Sequence, residues 1–90
     1  MQDIVWTDYL RYRAELRDFD LTELERIIRY SSERYFDNET RRAIVIGRHH
    51  KQLVMIPYET DGDNIIPVTI HSVTHQQIRF RLRTGRFTNE

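Results

Sequence analysis

At residues 42–58 the chain reads RAIVIGRHHKQLVMIPY, two apolar runs joined by three polar residues. The runs 42–48 and 52–58 are rich in β-branched and apolar side chains, which is typical of strands. The HHK segment between them is short enough for a hairpin turn. We therefore expect two adjacent antiparallel strands, with His49 and His50 exposed at the turn that joins them.

A third strand signal follows this hairpin. The turn triplet DGD at residues 61–63 precedes the run IIPVTIHS at residues 65–72. Strand alternation would place three of its side chains inward, namely Ile66, Val68 and Ile70, and leave His71 on the opposite face. No helical pattern fits between these runs, so we expect an antiparallel meander of three or four strands. Pro57 and Pro67 each remove a backbone donor, which favours an edge, a strand end or a bulge.

Two helices are predicted before the hairpin. The first is indicated by side chains at helical spacing, which are Trp6, Tyr9, Leu10, Arg13 and Leu16. Thr7 or Asp8 would cap this helix. The second would begin with Asp20 or Thr22 as its N-cap and present one apolar face made of Leu21, Leu24, Ile27 and Ile28.

The segment after the third strand fits either a helix or a strand. Residues 74–77 read THQQ, which matches a capping box, and Gly85 would end the helix. Against this, Ile, Phe and Leu alternate with Arg over residues 78–83, which is the period of a strand. We expect a short basic helix, with a strand as the alternative for residues 75–84. In the helix, one stripe would hold His75, Arg79 and Arg83.

Length and composition limit the class of protein. Ninety residues and 11.0 kDa predict a single domain spanning residues 1–90, of the α+β class. The longest apolar runs are about five residues, whereas roughly 20 are needed to cross a bilayer. Acidic residues flank the apolar residues 4–6, unlike a signal peptide. The sequence has no cysteine, which excludes disulfides and thiolate chemistry. We therefore expect a soluble, cytoplasmic protein with no membrane partner.

Charge is divided unevenly between the two halves of the chain. Residues 1–40 hold six Arg and ten acidic residues, whereas residues 41–90 hold seven Arg, one Lys and four acidic residues. From residue 65 to residue 89 there are four Arg, two His and no acid. Arginine binds phosphate and carboxylate groups through a planar pair of donors. The pattern predicts a local basic surface that faces an anion or an acidic partner.

His71 is the strongest candidate for acid–base chemistry. It leads directly into the basic segment, and neighbouring Arg side chains would disfavour its cationic form. A neutral imidazole beside a phosphate-binding group can act as a general base on a ribose 2′-hydroxyl. Tyr58 is a candidate for base stacking or proton transfer. We expect neither a metal nor a cofactor, because no HExxH spacing and no Gly-rich phosphate loop is present.

The order of elements and five short stretches resemble the BrnT-type toxins of the wider RelE/ParE superfamily. These stretches are IVW at 4–6, LTELE at 21–25, RRAIVIG at 41–47, LVMIPYE at 53–59 and VTIHSVTHQQ at 68–77. The resemblance implies a RelE-like fold with two N-terminal helices, a meander and a C-terminal helix. It also implies a small prokaryotic toxin of a type II toxin–antitoxin system, which cleaves RNA without a metal and inhibits translation and growth.

The resemblance also implies functional residues and partners. By position, Arg17 and His71 match the family's basic functional residues, and Arg48, Arg79 and Arg83 are the further basic candidates. Together with the candidates taken from the residues themselves, the catalytic set is His71, Arg79 and Arg17, and the RNA-binding set is Arg48, Lys51, Tyr58, His75 and Arg83. A cognate antitoxin would neutralise the protein, in a homo- or hetero-oligomer. The chain departs from the family pattern at His71, where Arg is frequent, and at Gln77, where Glu is frequent. The alternative is a non-catalytic basic module, or an inactive toxin relative, that binds an acidic protein or a nucleic-acid backbone.

Overall fold

A seven-stranded mixed sheet carries helices on both faces in the computed structural model, which describes residues 2–90. The elements in chain order are β1 (Asp3–Ile4), α1 (Asp8–Leu16), α2 (Leu21–Tyr30), β2 (Arg34–Asp37), β3 (Arg42–His49), β4 (Gln52–Asp61), β5 (Asn64–Pro67), β6 (His71–Ser72), α3 (His75–Arg83) and β7 (Phe87–Asn89). The predicted α+β class is confirmed.

The sheet is centred on the predicted hairpin and has the order β1-β5-β4-β3-β2-β7, with β6 also paired to β4. Strands β2 to β5 form the expected antiparallel meander. Two short strands were not predicted from the sequence. Strand β1 pairs in parallel with β5, and β7 pairs antiparallel with β2, so the two ends of the described chain form the two margins of the sheet.

Each face of the sheet has its own apolar core. The α2 face, covered by α1 and α2, buries Leu10, Ala14, Phe19, Leu24, Ile27, Ile28, Val45, Val54, Ile56, Tyr58, Ile65 and Ile70. The α3 face, covered by α3, buries Ile44, Ile46, Leu53, Met55, Val73, Ile78 and Phe87. Consecutive residues of β3 and β4 alternate between these two cores, so both central strands are buried on both sides.

Helix α2 lies against β3 at Gly47. A Cβ atom added to Gly47 would come within 2.5 Å of Ile27 Cγ2 and 2.8 Å of Ile27 Cγ1. These distances are well inside van der Waals contact, and the branched Ile27 side chain has little freedom to turn away. Any larger residue at position 47 would therefore push α2 off the sheet.

The predicted helix caps are present. The Thr7 hydroxyl accepts a hydrogen bond from the Leu10 N–H, and the Asp20 carboxylate accepts one from the Thr22 N–H. Thr74 and Gln77 form both bonds of the capping box, so the helix prediction for residues 75–83 is confirmed and the strand alternative is wrong. None of the helices formed by the described residues is both long and apolar enough to cross a membrane.

The residues at helical spacing in the first helix do not share one buried face. Only Leu10 and Ala14 are buried, whereas Tyr9 and Leu16 are 56% and 61% exposed. Tyr12, also 61% exposed, lies on the same outer side. Helix α1 packs on the core of the α2 face through a single narrow face formed by Leu10 and Ala14, which lie at i and i+4.

His49 is buried rather than exposed at the hairpin turn. The His49 side chain accepts a hydrogen bond at Nε2 from the backbone N–H of Asp20, at 2.8 Å. Its ring lies edge-on to Phe19, with the centroids 5.1 Å apart. The turn therefore narrows to His50 and Lys51, and His50 adopts a left-handed φ of 57°. His49 is recruited into the core because it pairs a backbone donor that α2 leaves free at its N-terminus.

The third predicted strand is interrupted by a bulge. Tyr58 pairs with Pro67 and Met55 with His71, so two residues of β4 oppose three residues, 68–70. The Val68 N–H still donates to the Pro57 carbonyl, at 2.8 Å. Pro57 thus lies opposite a bulge and Pro67 at a strand end, as predicted. The predicted inward set is confirmed for Ile70 and wrong for Ile66 and Val68, which are only half-buried, whereas the neighbouring Ile65 is buried.

We predict that His49→Ala destabilises the protein much more than His50→Asn does. The first change leaves the Asp20 N–H without its acceptor and should cost about 1–3 kcal/mol of unfolding free energy. His50 is exposed and has a left-handed backbone, which Asn tolerates, so His50→Asn serves as the matched control. Urea unfolding followed by circular dichroism measures both, and equal midpoints for the two variants would contradict the structural role of His49.

Candidate functional site

The bulge decides which way His71 points. Alternation continued from Pro67, which opposes Tyr58, would turn residue 71 toward the α2 face. The extra residue in the bulge reverses the alternation, and His71 instead lies opposite Met55 on the α3 face. Because β6 is a two-residue strand at the side of β4, the His71 side chain is exposed at the edge of the sheet.

Three arginines from two helices lie near enough to His71 for their charges to act on its imidazole. Arg13 of α1 donates through Nη2 to the Ile70 carbonyl, at 3.0 Å, next to His71 in the chain. Arg17 is the C-cap of α1, on the same side of that helix. Arg81 of α3 places its Nη1 3.6 Å from the sulfur of Met55, the residue paired with His71. We call His71, Arg13, Arg17 and Arg81 the edge cluster.

The edge cluster favours a neutral imidazole. Partial burial lowers the pKa of His71 below its ordinary value of 6.5, and the positive charges of Arg13, Arg17 and Arg81 act in the same direction. A neutral imidazole is a proton acceptor at pH 7. The cluster therefore combines a base with three cations that can bind an anion.

Arg13 retains unused donor capacity at this edge. Its Nε atom is buried and has no hydrogen-bond partner among the described residues, as is also true of the hydroxyl of Thr69 in the bulge. Buried polar atoms in proteins are usually paired. The bulge and the arginine beside it thus provide polar groups that the fold itself does not satisfy.

A second basic group lies at the hairpin end of the sheet. Arg48 donates through Nη1 to the Lys51 carbonyl, at 3.3 Å, and its Nη2 is 3.4 Å from His75 Nε2. Three of the predicted RNA-binding residues, Arg48, Lys51 and His75, therefore lie together. This hairpin group is joined to the edge cluster by the short segment between β6 and α3.

The other predicted site residues lie apart from these two groups. Tyr58 is buried in the core of the α2 face, and its hydroxyl accepts a hydrogen bond from Arg34 at 3.2 Å. Arg83 is exposed at the end of α3. Arg79 is exposed on α3, and its side chain makes no hydrogen bond or ion pair within residues 2–90. Of the predicted catalytic residues, the structure brings Arg17 to His71 and does not bring Arg79 there.

Sequence reasoning missed Arg13 and Arg81 as members of the site. Arg13 is predicted only as one of five residues at helical spacing in the first helix, and Arg81 lies off the predicted stripe of His75, Arg79 and Arg83. The available signal was the inward position of Ile78, since a residue three places later lies beside it on the helix. Arg81 is half-buried for this reason, whereas Arg79 is exposed.

The donor set of the edge cluster suits an anion rather than a cation. It contains one imidazole and three guanidinium groups and no carboxylate. Among residues 2–90, no three His, Asp or Glu side chains are grouped closely enough to hold a metal ion. The chemistry available at this edge is binding of a phosphate or carboxylate, together with proton transfer through His71.

We predict that His71 titrates below pH 6.5 and that its pKa rises when a neighbouring charge is removed. Arg17→Gln and Arg81→Gln should each raise the pKa, because each loses a cation that opposes protonation. Arg79→Gln is the matched control on the same helix as Arg81. The imidazole proton shifts, followed by NMR against pH, give the values directly.

The lowered pKa of His71 also makes the unfolding free energy depend on pH. Because folding lowers the pKa of His71, its contribution to stability is present above pH 6.5 and is lost as the pH falls through the folded-state value. His71→Gln should therefore flatten this part of the curve of unfolding free energy against pH. A His71 pKa at or above 6.5 would contradict the geometry described for the edge cluster.

A scan against protein-family models matches no family, and no curated protein and no solved structure matches the chain. The resemblance to BrnT-type toxins therefore rests on the five short stretches and the order of elements alone.

Proposed function

We propose that this protein is a metal-independent endoribonuclease, the toxin of a type II toxin–antitoxin system. The observation that carries the proposal is the edge cluster, in which an exposed His71 with a lowered pKa lies among Arg13, Arg17 and Arg81. The cluster supplies its base and its positive charge from its own side chains. The BrnT-like stretches of sequence support the assignment to a toxin that acts in the cytoplasm of a prokaryote.

The proposed reaction is an internal transesterification of RNA. His71 takes the proton of a ribose 2′-hydroxyl, and the 2′-oxygen forms a bond to the adjacent phosphorus. The bond from phosphorus to the 5′-oxygen then breaks, and the protonated His71 returns its proton to that oxygen. The products are a 2′,3′-cyclic phosphate and a 5′-hydroxyl. The three guanidinium groups stabilise the negative charge that develops on the phosphoryl oxygens.

A second candidate function is RNA or acidic-protein binding without chemistry. The specific observation in its favour is that His71 is the single ionisable acid–base group of the edge cluster, so it must act first as base and then as acid. The hairpin group of Arg48, Lys51 and His75 would suit backbone binding in either case. Product formation distinguishes the two candidates.

We predict that the purified protein cleaves single-stranded RNA and that His71→Gln lowers the rate by about 10²–10⁴-fold, which is the usual contribution of a general base. Arg81→Ala should cost more activity than Arg79→Ala, because only Arg81 lies in the edge cluster. Arg42→Gln, which breaks an exposed ion pair with Glu59, is the matched control. The assay follows new 2′,3′-cyclic phosphate ends in the presence of a chelator.

Expression of the chain without an antitoxin tests the same nuclease proposal in cells. Growth arrest with new RNA ends, both relieved by His71→Ala, is the expected result. Intact RNA and normal growth with a well-expressed, folded protein would overturn the nuclease assignment. Tight, salt-dependent RNA binding without product would then leave the binding function.

Helix α1 of this protein offers a surface that suits the binding of the expected antitoxin. Tyr9, Tyr12 and Leu16, here called the Tyr9 stripe, are exposed at i, i+3 and i+7 on the outer side of this helix. Arg13 and Arg17 lie along one flank of the stripe and also belong to the edge cluster. This arrangement suits an amphipathic helix whose apolar face covers the Tyr9 stripe while its acidic residues pair with the two arginines. Such a partner would block the edge cluster as it binds.

We predict that Tyr12→Ala with Leu16→Ala weakens neutralisation by an antitoxin co-expressed with the chain and leaves RNA cleavage by the free protein intact. Both side chains are exposed, so the fold should tolerate the change. The paired control replaces Tyr30, which is 75% exposed on another surface. Full neutralisation of the double variant would exclude the Tyr9 stripe as the antitoxin-binding surface. If the double variant instead has a lower native mass than the unaltered chain, the stripe joins two copies of the chain.

A further inference from the structure

The outer side of α3 carries a concavity of about 620 Å³ that the edge cluster does not include. It lies between α3, the turn after β2 and the segment that leads into β7. The residues that matter in its lining are Gln77, Phe80, Arg81, Arg83, Arg86 and Glu39. Arg81 belongs both to this lining and to the edge cluster, so the two surfaces are continuous.

Phe80 is the unusual member of this lining. It is 58% exposed on a helix whose neighbouring positions are Arg79 and Arg81. An isolated exposed apolar side chain needs no explanation. Here, however, the aromatic ring lies in a concavity beside several guanidinium groups, which is the combination that single-stranded nucleic-acid sites use to stack a base and hold its phosphate.

The arginines of the concavity differ in how far their charge is already neutralised. Arg86 forms two hydrogen bonds with the buried carboxylate of Asp37, at 3.1 and 3.0 Å, and lies 3.5 Å from Glu39. The positive charge of Arg86 is therefore neutralised by these carboxylates, and the contacts hold the start of β7 to β2. Arg81 and Arg83 form no ion pair within residues 2–90, so they carry the positive charge that an incoming ligand would meet.

We propose that this concavity binds the nucleotide next to the scissile phosphate of a single-stranded RNA, with its base stacked on Phe80 and its phosphate paired with Arg83, which lies beside Phe80 at i+3. This inference rests on the proposed function, because Arg81 links the concavity to His71. Stacking requires an unpaired base, so the site selects single-stranded over duplex RNA. It tolerates every base, because each base has a π-face.

The test uses a fully 2′-O-methylated single strand, which lacks the attacking hydroxyl and therefore reports binding without cleavage. Fluorescence anisotropy at fixed salt should show about tenfold weaker binding for Phe80→Ala, within the range measured for loss of one stacked base. Phe80→Leu keeps an apolar side chain without an aromatic face and should bind as weakly as Phe80→Ala. Phe80→Trp should restore binding. A duplex of the same sequence should bind all four proteins alike.

Cleavage kinetics of an unmodified strand separate this inference from the proposed function. If the Phe80→Ala enzyme shows a raised KM with kcat retained, both stand. Phe80-dependent binding without cleavage by any variant would support the concavity and overturn the nuclease assignment. Cleavage with unchanged binding and KM in Phe80→Ala would overturn the concavity alone. Equal binding by Phe80→Leu and the unaltered chain would overturn stacking, and absence of binding to the single strand would overturn both.

Discussion

The close approach of α2 to β3 at Gly47 is the constraint on which the rest of the structure depends. Ile27 occupies the space that a side chain at position 47 would need, so α2 lies almost directly on the backbone of a central strand. The same helix is fixed at its N-terminus by the hydrogen bond from Asp20 to His49 at the end of β3. The contacts that α2 makes with Gly47 and His49 of β3 thus set both its distance from the sheet and its direction.

With the hairpin and α2 fixed, the path of β4 determines where the edge cluster forms. Pro57 has no N–H to donate, and the strand beside it bulges between β5 and β6. The bulge exchanges the faces of all following side chains, which buries Ile70 under α1 and aims His71 toward α3. The single extra residue of the bulge therefore makes position 70 a core position and position 71 a candidate catalytic position.

The sequence predicts the local features well, because each is encoded within a few residues. The central hairpin, the caps at Thr7 and Asp20, and the capping box at Thr74 all follow from short-range chemistry. Buried His49 does not, since its partner Asp20 lies 29 residues away. The bulge also escapes prediction, because alternation in residues 65–72 reads correctly only when the register against β4 is known.

His71 could be predicted as a candidate site residue from the sequence, whereas two of the arginines near it, Arg13 and Arg81, could not. His71 stands out because it introduces a basic segment without acids, and this depends on sequence alone. Which arginines meet it depends on the crossing of α1 and α3 at one edge, and this is a tertiary property. Arg79 and Arg81 are indistinguishable by residue type, and only the burial of Ile78 separates their positions.

The pairing of the two marginal strands has a consequence for the order of folding. The hairpin of β3 and β4 closes a turn of two residues, whereas β1 must find β5 and β7 must find β2 across most of the chain. Contacts between distant residues are entropically costly to close, so they form late and open first. Backbone amides of the central hairpin should therefore exchange with deuterium far more slowly than those of the sheet margins.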